Sequence, residues 1–228
     1  MSLIRARRIG PTRQLGRSDG ERGTTAVELS VTVALLGIVA ATALAATISM
    51  TNVIAINDRR ATNIDEARTL MAVTSRDLRT ATRLVAGTPA FTVAAEREVT
   101  FYANLDNPNG GPKLVRIYVD TNTQLIESIT PPDAGSVAPN YTYNNGPAKI
   151  RYVGRYVANP VGTPIFQFYD SNGVALPGGA LSAADRLAVN QVKITMSIRK
   201  STTYTVGATT LVNRVRLPNL NYQVLMGG

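Results

Sequence analysis

The sequence predicts an α+β protein in which one long N-terminal helix is followed by an antiparallel β-rich head. Three observations carry that expectation. No proline occurs between Pro11 and Pro89, and Gly37 is the only glycine between Gly23 and Gly87. Late in that interval, apolar residues recur at steps of three and four. After Gly87-Thr88-Pro89 the pattern switches to period two and turn residues multiply. A chain of 228 residues is long enough to bury a genuine core in one or two domains.

The first element is a basic head. Residues 1–23 hold six arginines against Asp19 and Glu21, so +4 of the formal +9 sits in the first tenth of the chain. Residues 29–57 then contain no charged side chain, a run longer than the roughly 20 residues that cross a bilayer core. Arginines before an apolar helix place the head on the cytoplasmic side, which gives an N-in, C-out single pass. The apolar run mixes Val31, Leu35, Leu36 and Ile38 with many Ala and Thr. Small residues favour close contact between helices in lipid. Alternatively, a lone anchor would simply turn its Thr hydroxyls back to its own carbonyls.

Three processing routes compete. A secretory signal peptide would be cut after Ala43-Leu44-Ala45, a signal anchor would stay uncut, and a third route cuts before the apolar run. The segment Glu21-Arg22-Gly23-Thr24-Thr25-Ala26-Val27-Glu28-Leu29 favours the third. A carboxylate just inside an apolar segment is costly without a partner. Cleavage after Gly23 would free the α-amine of Thr24, which could neutralise Glu28 of a neighbouring chain.

With these residues the chain resembles the type IV pilin and type II secretion pseudopilin class: a basic leader, Gly23 before the cut, Glu28 five residues into the mature chain, then an apolar helix. The resemblance implies removal of residues 1–23 by a prepilin peptidase, with Gly23 and Thr24 flanking the cut and Glu28 guiding filament assembly. It also implies storage in the cytoplasmic membrane, contact with an inner-membrane assembly platform, and packing against other pilin or pseudopilin subunits in an extracytoplasmic filament. Thr24 departs from the usual Phe, which leaves N-terminal methylation open.

A helix from residue 24 to about residue 86 would be roughly 95 Å long, three times the bilayer core. Its upper half is expected to be amphipathic. Ile64, Ala67, Met71, Thr74, Leu78, Ala81 and Val85 form the buried stripe, with Arg68, Arg76, Arg79 and Arg83 beside Asp65, Glu66 and Asp77 on a solvated face. The segment NIDEARTLMAVTSRDLRTATRL also resembles minor pseudopilins of the J type. The expected organisation is a leader over 1–23, an assembly half of the helix over 24–57, an amphipathic half over 58–87 and a head over 88–228.

In the head, strands are expected at residues 99–105, 114–120, 125–129, 149–157, 165–169, 191–199 and 211–217, forming one antiparallel sheet system. Thr121-Asn122-Thr123 is a hairpin turn, and residues 104–112 and 130–147 are loops.

Candidate sites are few. Without His or Cys the usual bases, thiolates, zinc and haem ligands are missing. The carboxylates form no legible catalytic pair, and no enzyme activity, metal or cofactor is expected. Asp170-Ser171-Asn172-Gly173 is a turn rather than a calcium loop. In KIRYVGRY, Lys149, Arg151 and Arg155 are candidate anion or DNA contacts, with Ile150, Tyr152 and Tyr156 expected on an opposite core face. Three readings follow: a structural minor pilin or pseudopilin, a DNA-uptake minor pilin, and a secreted or anchored β-domain protein that forms no filament.

Overall fold

The structure is a computed structural model describing residues 20–106, 110–200 and 207–220, with side chains from residue 25 onward. Apart from the main chain of residues 20–23, the expected leader lies outside the described residues. The chain divides into two compact units, residues 1–54 and 55–228. Helix α1 (Gly20–Arg79) supplies the described part of the first unit and opens the second.

Proline-free sequence rich in Ala and Leu lets α1 run without interruption. It begins four residues before the expected start and passes through the Gly23–Thr24 junction. It ends at Arg79, earlier than the expected residue 86. The reason is competition from the sheet. Thr80 returns both its N–H and its hydroxyl to the Asp77 carbonyl (3.1 and 2.6 Å), tightening the last turn. The chain then pairs with a strand through an Ala81–Ala103 bridge and a Thr82 N–H to Tyr102 carbonyl bond of 2.8 Å. Ala81 is therefore buried in non-helical backbone, and Val85, expected on the stripe, is exposed.

In the second unit, the face of α1 that meets the sheets consists of Asn63, Ala67, Leu70, Met71, Thr74, Ser75, Asp77 and Leu78. This corrects the expected pattern in one respect that matters below. Leu70 lies at the centre of the face, and Asp77, seven residues and almost two full turns later, falls beside it rather than on the solvated side.

Two antiparallel sheets replace the single system expected. The first has the order β1-β2-β3-β4-β5: β1 (Phe91–Ala94), β2 (Glu98–Ala103), β3 (Lys113–Val119), β4 (Leu125–Thr130) and β5 (Lys149–Gly154). The second has the order β6-β7-β8: β6 (Phe166–Tyr169), β7 (Gln191–Ile198) and β8 (Thr209–Arg216). A short helix, α2 (Ala183–Ala188), precedes β7. A bridge between Val157 and Ile198 ties the segment after β5 to β7.

Period-two patterning fixes which face each strand buries. Val99 and Phe101 of β2, Val115 and Ile117 of β3, and Ile194, Met196 and Ile198 of β7 meet Leu70 and Leu78 of α1 in one core. All four phenylalanines belong to it. Phe91 lies 5.5 Å from Phe101 and meets Phe168 edge-on at 6.0 Å. Rings at such spacing are worth roughly 0.5–1.5 kcal/mol per pair beyond their burial.

The turns follow from local chemistry. Between β3 and β4 the Asp120 carboxylate accepts the N–H groups of Asn122 and Gln124, which holds Thr123 at a left-handed φ of 61°. Asp170 does the same for Asn172 and Val174, with Gly173 supplying the positive φ, so that segment is a turn whose carboxylate is engaged by its own loop.

Candidate functional site

The first unit offers a surface rather than a cavity. α1 carries an apolar stretch with mean hydropathy 2.3, none of it buried among the described residues. Val27, Leu29, Leu36 and Val39 are more than 60% exposed. Each such side chain left in water forgoes about 1.5–3 kcal/mol, so a surface of this extent calls for lipid or other apolar helices around it.

Its polar groups are arranged to fit such surroundings. The hydroxyls of Ser30, Thr32, Thr42 and Thr47 donate to the carbonyls of Ala26, Glu28, Val39 and Ala43 at 2.8–2.9 Å. These are all the hydroxyl side chains of residues 29–48. The 20 residues between Glu28 and Ser49 therefore span about 30 Å, the thickness of a hydrocarbon core, with every hydroxyl donor already used. This is the hydroxyl pattern expected of an anchor. It also means that these groups are committed within the helix rather than offered to a neighbour. Gly37 leaves open space where a Cβ would stand.

Glu28 marks the start of this stretch. It is exposed, and its carboxylate meets no cation among the described residues. Gly23 and Thr24 lie one helical turn before it; their main chain is helical and their side chains lie outside the described set.

The basic segment of the head departs from expectation. Lys149, Arg151 and Arg155 are exposed, but Ile150 and Tyr152, expected to face the core, are 60% and 65% exposed. The cause is position: β5 is the edge strand of its sheet and only its last residues are covered. Basic and aromatic groups are thus both in solvent, on opposite faces. Arg151 is already neutralised, its Nε 2.7 Å from Oε2 of Glu127. The Arg155 N–H donates to Oε1 of Glu66 at 2.8 Å. Gly154 lies directly under α1, and a Cβ there would come within 2.5 Å of Leu70 Cδ2 and 2.6 Å of Glu66 Oε1.

The expected charged face of α1 holds only in part. Asp65 and Arg68 are paired at 3.9 Å with both side chains mostly in solvent, an interaction worth little. Arg83 is no longer helical and donates to the Leu187 carbonyl at 3.1 Å. Asp77 and Glu127 are the residues that sequence reasoning missed. Both are buried, at 0% and 1% exposure. The signals were present: Asp77 shares a helix face with Leu70, and Glu127 lies between Leu125 and Ile129 on the alternation of β4.

Among the described residues, no group of three or more carboxylate, imidazole or thiol side chains could hold a metal ion. No family model, curated protein or solved structure matches the chain. What stands is the class defined by the architecture: an α+β protein with one N-terminal helix long and apolar enough to cross a membrane, followed by antiparallel sheets.

Proposed function

We propose that this chain is a non-catalytic structural subunit, a minor pilin or pseudopilin of a type IV pilus or type II secretion-like filament. The observation that carries the reading is an apolar helical surface covered by none of the described residues, headed by the carboxylate of Glu28 and continuing along the chain into a β-sheet head. Before assembly, lipid of the cytoplasmic membrane covers that surface. After prepilin peptidase removes residues 1–23, helices of other subunits replace the lipid, with the inner-membrane assembly platform as the meeting place. The free amine of Thr24, methylated or not, then neutralises the Glu28 carboxylate of an adjacent subunit.

Two measurements test this. Mass spectrometry of the mature N-terminus is expected to find Thr24; Ala46 or Met1 would mean a secretory cut or an uncut anchor. Glu28→Ala is expected to leave membrane insertion and cleavage intact while removing the protein from sheared filaments. Equal incorporation of the variant would sink the assembly role.

The exposure of Tyr152 near Lys149 and Arg155 keeps a second reading, a DNA-uptake minor pilin binding a single strand through β5. Retention of DNA by the full chain that weakens with salt, and is lost on reversing charge at Lys149 and Arg155, would favour it.

A further inference from the structure

Asp77 of α1 and Glu127 of β4 meet where the helix lies on the first sheet, and each is outwardly satisfied and inwardly bare. Oδ1 of Asp77 accepts from Arg76, with Nε at 3.1 Å and Nη2 at 3.0 Å. Oε2 of Glu127 accepts from Nε of Arg151 at 2.7 Å. The remaining oxygens, Oδ2 of Asp77 and Oε1 of Glu127, are buried with no donor in reach. They belong to two side chains that stand within hydrogen-bonding distance of each other.

Two ionised carboxylates cannot make that contact, because both offer only acceptors. One proton between them converts it into a charge-assisted O–H···O bond, the strongest type available to these groups. The charged groups facing the pair are Arg76 from α1 and Arg151 from β5. β3 presents uncharged Ile117 opposite Glu127. Both guanidinium groups are partly in solvent, at 63% and 44% exposure, so water screens them while the inner oxygens stay dry. A metal ion fits poorly, since it would find two carboxylate oxygens flanked by two cations.

We propose that Asp77 and Glu127 form a single proton-binding site, a clasp that fastens the amphipathic end of α1 to the five-stranded sheet when one proton is bound and loosens when it leaves. The order along the clasp is Arg76, Asp77, shared proton, Glu127, Arg151, so that it links α1, β4 and β5 in one chain of bonds. Burial, first, and the neighbouring Glu127, second, push the Asp77 carboxyl up from 3.8 to about 7, which places release of the proton in the neutral range. This inference is independent of the filament reading and stands or falls separately.

The test uses the full chain in detergent micelles. The apparent unfolding temperature is expected to fall by roughly 5 °C or more between about pH 5 and about pH 8. Asp77→Asn should abolish most of that fall, because an amide donates permanently to Glu127 while still accepting from Arg76. Glu127→Gln should do the same from the other side. A variant whose pH profile runs parallel to that of the native chain would overturn the proposal. Infrared spectroscopy gives a readout that survives if the variants do not fold. At about pH 6, where exposed carboxylates are ionised, the native chain is expected to retain a protonated-carboxyl carbonyl band that disappears by about pH 9. Absence of that band at about pH 6 would equally overturn it.

Discussion

At the scale of single residues, two aspartates show how environment decides the role of one side chain. Asp77 is buried against another carboxyl and has its acidity weakened. A raised folded-state value means that the folded chain binds the proton more tightly than the unfolded one. The stabilisation is fully present below about pH 3.8 and is lost as pH rises through about 7. Asp133 is the opposite case. It lies in the loop between β4 and β5, accepts the Thr142 hydroxyl at 2.7 Å, and collects the N–H groups of Asn144, Asn145 and Gly146. Those bonds favour the ionised form and lower its value, so its contribution is present above the ordinary carboxylate range and is lost as pH falls through the lowered value. Asp133→Ala is expected to leave the two sheets intact but to speed protease cleavage within residues 131–147, measured by mass spectrometry of the fragments. Cleavage unchanged from the native pattern would mean that the loop is held by something else.

At the scale of elements, the join between α1 and the first sheet depends on close approach at Gly154. A methyl group added there would run into Leu70 and Glu66. Gly154→Ala is expected to cost about 1–3 kcal/mol in denaturant unfolding, the range for overpacking a filled site. A loss below about half a kcal/mol would show that the helix can lift without penalty. How far the elements were legible follows the strength of their local signal. β7 was plain because Val192, Ile194, Met196 and Ile198 alternate cleanly, and the turn after Asp120 was plain because a short polar stretch separates two alternating runs, although the left-handed position falls to Thr123 rather than to Asn122. β1 was missed because its four residues pair with β2 through an irregular register and show no clean alternation. α2 is too short for periodicity and was not expected; the structure shows its cap, where the Ser182 hydroxyl accepts the Asp185 N–H at 3.2 Å and donates to its carboxylate at 2.6 Å. The end of α1 was misjudged because Thr82 and Ala81 answer to a strand far away in sequence, which no local pattern reveals. The same holds for Ile150 and Tyr152: alternation separates two faces, but only the sheet order says that neither is covered.

At the scale of the whole molecule, the chain carries two kinds of apolar surface. The core of the second unit draws on residues from Ala67 onward and is buried within the protein itself. The apolar surface of residues 27–54 is not. The full chain is therefore expected to need membrane or detergent, whereas a chain lacking residues 1–54 should remain monodisperse without either, measured by light scattering after dilution. Aggregation of the shortened chain would show that the second unit is incomplete without the first. Charge is consistent with this division. Four of the nine excess positive charges precede Thr24, so the proposed cleavage would leave side-chain charges of +5.

The inward-turned hydroxyls of residues 29–48 have a mechanical consequence. With every Ser and Thr donor engaged in its own helix, that length of α1 offers no free hydroxyl hydrogen to whatever lies against it. Contacts of that kind depend on side chains interdigitating, which favours particular crossing angles, rather than on the direction of a hydrogen bond. Over residues 29–48, contact with any neighbouring helix would rest on the fit of side-chain shapes, and hydrogen bonds donated by α1 side chains would come only from beyond that length.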